Sequence, residues 1–173
     1  MIDKLILVGY MGVGKSTIGQ LLAQKTAKTH LDLDKIISQK EGKSISDLFA
    51  KNGEVYFRKV EHHVLQEVLE TQSNFVLSLG GGTPCYAQNH LVYTRPDCQS
   101  IYLKASITTL KDRAAAERDQ RPILQAIPEE ELEEFIAKQL FERSYYYNQS
   151  NLIVLVDQKS PDEITHELLN LLS

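Results

Sequence analysis

Apolar positions along this chain follow two alternating rhythms. Short runs rich in aliphatic and β-branched residues stand at Lys4-Leu5-Ile6-Leu7-Val8, His30-Leu31-Asp32-Leu33, Phe75-Val76-Leu77-Ser78-Leu79, Ser100-Ile101-Tyr102-Leu103 and Leu152-Ile153-Val154-Leu155-Val156. Each has the length of a strand and is bounded by polar or turn-forming residues. Between them the apolar spacing lengthens to the helical period. Lys15 to Ala27 carries Ile18, Leu21 and Leu22 on one side. Ser44 to Gln72 breaks at Asn52-Gly53 and then carries Val60, Val64, Leu65, Val68 and Leu69 as a stripe suited to covering a sheet face. A further helix starts at Ser106, an acid-rich one runs toward Tyr147, and Ser160-Pro161-Asp162-Glu163 sets cap, proline and capping-box acid at the head of a last one. Glu117 to Pro128, charged and with prolines at 122 and 128, reads as an exposed loop. The alternation predicts an α/β fold of five parallel strands with interleaved helices, since right-handed crossovers permit little else.

Length and composition narrow the class. With 173 residues, 42% of them hydrophobic, the chain suits one buried core and hence one domain over residues 1–173. No apolar run approaches the ~20 residues of a membrane span, and Met1-Ile2-Asp3-Lys4 puts an acid where a secretory leader wants basic charge. Nineteen basic against 23 acidic residues, net −4, lack the positive field of a nucleic-acid binder. Cys85 and Cys98 form neither a CxxC pair nor a disulfide framework, which suggests two reduced thiols in a cytoplasmic protein.

The chemistry begins where the first strand ends. Gly9-Tyr10-Met11-Gly12-Val13-Gly14-Lys15-Ser16-Thr17 fits G-x-x-x-x-G-K-[ST] in full, between a strand and a helix. Glycines let backbone N–H groups turn inward around phosphate oxygens, the following helix aims its positive end at them, Lys15 adds a point charge and Ser16 supplies a hydroxyl for Mg²⁺. A GTP-dependent switch should add N-K-x-D and D-x-x-G, and neither occurs. Asp32-Leu33-Asp34 ends the second strand, which should run beside this cradle. Two carboxylates near a triphosphate make sense if one serves hydrated Mg²⁺ and the other holds an acceptor hydroxyl; the competing reading of Asp34 is a helix cap. Arg58 lies about 200° round its helix from Val60, off the apolar stripe, where a solvated pair with Glu61 competes with a binding role. Gly80-Gly81-Gly82 suggests close approach to a ligand. Of six arginines, Arg113, Arg118 and Arg121 cluster and Arg143 follows on the next helix, a set suited to phosphate and carboxylate recognition.

Taken in order, Gly9-x-x-Gly12-x-Gly14-Lys15-Ser16-Thr17, Asp32-x-Asp34, Phe57-Arg58-x-x-Glu61, Ser78-Leu79-Gly80-Gly81-Gly82, Arg121-Pro122-Ile123-Leu124 and Arg143-x-x-x-Tyr147 resemble the shikimate kinase family across essentially the whole chain. The resemblance implies a three-layer α/β/α P-loop fold of the nucleoside monophosphate kinase type, with a substrate-binding helical region near residues 34–61 and a mobile lid near 119–127. It implies transfer of the γ-phosphoryl group of ATP to the 3-hydroxyl of shikimate, a step toward chorismate and the aromatic amino acids. On that likeness Gly12, Val13, Gly14, Lys15, Ser16 and Thr17 hold the ATP phosphates, with Ser16 on Mg²⁺ directly and Asp32 through water. Asp34 takes the acceptor proton, and Arg58 and Arg143 grip the shikimate carboxylate. Gly80, Gly81 and Gly82 meet the substrate's hydroxyls, Arg121 enters from the lid, and Arg113 stacks on adenine. The chain departs from the family at Tyr145, Tyr146 and Gln149, where proline, leucine and glutamate are usual. Small kinases of gluconate or nucleoside monophosphates share the cradle but not the ordered set. A monomer binding ATP and shikimate, without nucleic acid or membrane, is the expected state.

Overall fold

The computed structural model describes residues 2–117 and 122–173. Its strands are β1 (Lys4–Val8), β2 (Thr29–Asp32), β3 (Phe75–Ser78), β4 (Cys98–Lys104) and β5 (Leu152–Leu155). All pair in parallel, in the order β2-β3-β1-β4-β5. The helices are α1 (Lys15–Thr26), α2 (Leu33–Glu41), α3 (Ile45–Thr71), α4 (Asn89–Val92), α5 (Ile107–Ala116), α6 (Pro122–Gln125), α7 (Leu132–Tyr147) and α8 (Pro161–Leu172).

β1 is central because Leu5, Ile6, Leu7 and Val8 are all buried, as a parallel strand covered on both faces requires. β3 meets the same condition at Phe75, Val76, Leu77 and Ser78. β2 does not, since Thr29 is exposed and His30, Leu31 and Asp32 are half-buried. The edge therefore falls to β2, and β3 stands between β2 and β1, which corrects the expectation that the second strand adjoins the cradle. Asp32 and Asp34 reach the phosphate loop across the end of β3 instead.

α3 breaks where expected, at Gly53 (φ 80°, ψ 169°), and its second half buries Phe57, Glu61, Val64, Leu65, Val68 and Leu69. Val60 is only half-buried, so the stripe runs through Glu61 instead. The segment from Glu117 to Pro128 is less loop-like than its charge suggests. It contains α6, and Leu124 is buried in the core. α8 opens with the full reciprocal cap: Glu163 N–H donates to Ser160 Oγ (3.2 Å) and Ser160 N–H to Glu163 Oε2 (2.7 Å). Among the described residues no helix is long and apolar enough to cross a membrane.

Candidate active site

The loop between β1 and α1 turns on three glycines with positive φ, Gly9 (153°), Gly12 (76°) and Gly14 (104°). An L side chain is strained there. Gly14 is also the N-cap of α1 and supplies no side-chain cap, so the first N–H groups of the helix point into the loop as a site for anions. Lys15 Nζ arches back and donates to the carbonyls of Gly9 (2.8 Å) and Tyr10 (2.9 Å). Val13 is fully buried and contributes through its backbone alone. From α5, Arg113 Nη1 donates to the Val13 carbonyl at 2.8 Å, bracing the loop from the side. Behind α1, Ser78 Oγ donates to the Lys15 carbonyl (3.1 Å) and lies 3.1 Å from His30 Nε2. With its one hydrogen committed, Ser78 Oγ accepts from the ring N–H. Burial holds His30 below its ordinary pKa.

Ser16 Oγ donates to Asp32 Oδ2 at 3.1 Å, while Asp32 Oδ1 caps α2 by accepting from Lys35 N–H at 3.2 Å. Asp32, not Asp34, is thus the cap, which settles the reading left open by the sequence. A hydroxyl and a carboxylate oxygen this close form a hard-oxygen donor pair of the kind Mg²⁺ takes beside phosphates. Asp34 projects from the first turn of α2 toward the glycines after β3. Burial first, then the nearby carboxylates of Asp32 and Glu61, push its pKa up to about 6, against the partial offset of Lys15 and Arg58. Such a group is ionised at neutral pH yet basic enough to take a proton.

The three glycines run beside three charged side chains, closely at Gly80 and Gly82. A Cβ on Gly80 would stand 3.1 Å from Asp34 Oδ1, one on Gly81 3.5 Å from Arg143 Nη1, and one on Gly82 2.7 Å from Arg58 Nη2. Arg143 lies over the Tyr10 ring, 5.6 Å from its centre. Near it, the Tyr147 hydroxyl donates to the Gly81 carbonyl at 2.6 Å. Arg58 Nη1 donates to Glu61 Oε1 at 2.9 Å, and Glu61 Oε2 accepts from Thr83 Oγ1 at 2.8 Å. Glu61 is 1% exposed, so the Arg58–Glu61 pair is a buried anchor and not the solvated pair the sequence allowed. The signal was present: Glu61 falls in register with Phe57, Val64 and Leu65 on the buried stripe. Thr83 carries no sequence signal of its own.

Lys15, Ser16, Thr17, Asp32, Asp34, Gly80 and Gly81 line one cleft of about 320 Å³, closed on other sides by Met11, Gly12, Gly14, Leu79 and Glu117. Arg58, Gly82 and Arg143 lie on its glycine side. Arg118 and Arg121 lie outside the described residues, as does part of the expected lid.

A parallel sheet in this order, with an anion loop after the central strand and carboxylates at the end of the edge strand, defines a P-loop phosphotransferase fold. The comparisons make the class specific. The family model for shikimate kinase matches residues 11–173. A shikimate kinase of Flavobacterium johnsoniae is 47% identical over 171 residues, 99% of each chain, and one of Flavobacterium psychrophilum is 45% identical over 98% of each. Among solved structures, shikimate kinase from Bacteroides thetaiotaomicron superposes with a TM-score of 0.91 at 34% identity, covering 98% of this chain and 97% of that one. Shikimate kinase from Acinetobacter baumannii in complex with shikimate gives 0.88 at 30%, covering 99% and 93%. The chain belongs to the shikimate kinase family.

Proposed function

We propose a division of labour among these residues for the family's reaction. The enzyme passes the γ-phosphoryl group of ATP to the 3-hydroxyl of shikimate, giving 3-phosphoshikimate and ADP. The observation that carries the assignment of roles is the facing of Asp34 and the phosphate loop across one cleft. Phosphoryl transfer asks mainly for positioning and charge neutralisation, and this cleft supplies both.

The backbone from Gly12 to Thr17 holds the phosphates, and Lys15 exchanges its carbonyl partners for phosphate oxygens. Ser16 directly and Asp32 through water would hold Mg²⁺, which would offset the negative charge of the phosphates. Asp34 orients the acceptor hydroxyl and takes its proton. Arg58 and Arg143 bind the shikimate carboxylate from either side of the glycine segment, while Gly80, Gly81 and Gly82 let the substrate lie close to the backbone. Arg113 reaches the adenine side, and Arg121 enters from the lid near 119–127 to meet charge on the transferring group. Residues 34–61 form the substrate-binding part of a single domain spanning 1–173. Two unpaired thiols, Cys85 and Cys98, support a reducing cytoplasm as its location, and we take it to act as a monomer.

A coupled ADP-release assay over shikimate, gluconate, AMP and CMP tests the assignment. Turnover is expected with shikimate alone among the four; turnover with gluconate or a nucleotide that matches or exceeds it would overturn it.

A further inference from the structure

Arg58 is held on more sides than an ion pair needs. Its Nη1 is tied to buried Glu61, its Nε lies 3.4 Å from Glu54 Oε1, and its Nη2 lies along the glycine segment at Gly82. Tyr86 covers the guanidinium face, with the central carbon 4.0 Å from the ring centre, while Phe57 and Phe49 stand at 5.2 and 5.7 Å. The Tyr86 ring thus covers the same guanidinium that Glu54 and Glu61 hold at its edge. Tyr86 is 38% exposed, which burial of apolar area alone does not explain. The chain after it holds two successive non-glycine residues in the left-handed region, Ala87 (φ 49°) and Gln88 (φ 56°). Backbone strain of that kind persists where the surroundings fix a conformation. Next to Arg58, Tyr86 also walls a shallow hollow of about 460 Å³ with Val55, Lys59 and His62, space into which an unclamped arginine could swing.

We propose that Tyr86 is a positioning residue for the acceptor, its ring holding the Arg58 guanidinium in the one orientation that meets the substrate carboxylate. The proposal rests on the reading of Arg58 as a carboxylate ligand. A planar cation fixed on an aromatic face enters the complex with its side-chain freedom already spent, so the ring contributes to acceptor affinity without touching the acceptor. The phosphate loop gains nothing from it.

Steady-state kinetics of Tyr86→Leu, Tyr86→Phe and Arg58→Ala, with shikimate and with its methyl ester, test this. Tyr86→Leu is expected to raise the shikimate KM about tenfold with kcat and the ATP KM nearly unchanged. Tyr86→Phe, which keeps the ring, restores most of the loss. With the methyl ester, whose anionic group is masked, parent and Tyr86→Leu should have equal kcat/KM. An unchanged shikimate KM in Tyr86→Leu, an equal loss on the ester, or no rescue by phenylalanine overturns the proposal. Arg58→Ala separates the two levels: if it leaves the shikimate KM unaltered, the reading of Arg58 itself fails, whatever Tyr86 does.

Discussion

Asp34 occupies a position where its charge is costly. Burial and two neighbouring carboxylates raise its pKa to about 6 from an ordinary 3.8. Between those values the folded chain keeps a proton that the unfolded chain has already released, so stability falls as pH rises across that window. Asp34→Asn removes the penalty. That variant is expected to be more stable than the parent at pH 8, by on the order of 3 kcal/mol, with the difference in Tm closing toward pH 4. Thermal denaturation at both pH values checks this, and a difference that is absent or that grows on acidification contradicts it. On the proposed reading, the same raised pKa suits Asp34 to act as a base, an instance of stability traded for function. At this scale much was legible in the sequence, because the phosphate loop is a local pattern whose residue types are dictated by backbone geometry. The choice between Asp32 and Asp34 as cap was not legible, since both flank the start of α2 and only the backbone conformation decides. The burial of Glu61 shows in the sequence only as its register with Phe57, Val64 and Leu65; its charge, three positions from Arg58, looks the same on a solvated face.

Among the elements, those with explicit punctuation were the easiest to read. The Asn52-Gly53 break in α3 and the Ser160–Glu163 cap of α8 fall where their residues predict. Ser160→Ala is expected to cost about 1 kcal/mol of stability while leaving the kinetics unchanged, because α8 lines no part of the cleft. Urea denaturation beside a steady-state assay checks both halves, and a fall in kcat at preserved stability would show α8 coupled to the site. α6 was missed for the opposite reason. A charged, proline-bearing segment reads as exposed, yet Leu124 inserts into the core through contacts distant in sequence. Strand order was likewise hidden: periodicity identifies a strand but not its neighbour. The order follows from which strands bury both faces, and Ser78, buried behind α1, disguises β3 as less central than it is.

At the scale of the whole molecule, the sheet order brings three crossovers to one rim. The loop after β1 provides the anion nest, the turn after β2 the carboxylates, and the glycines after β3 the space between Asp34, Arg143 and Arg58. Each part is weak alone; on the proposed roles, their convergence at the C-terminal edge of a parallel sheet is what would turn nucleotide binding into transfer to an alcohol. The most direct test measures nucleotide affinity and turnover together in Asp34→Asn. ADP should bind within about twofold of the parent while kcat with shikimate falls by about a hundredfold or more. Normal turnover in that variant, or loss of nucleotide binding in step with turnover, would contradict the account.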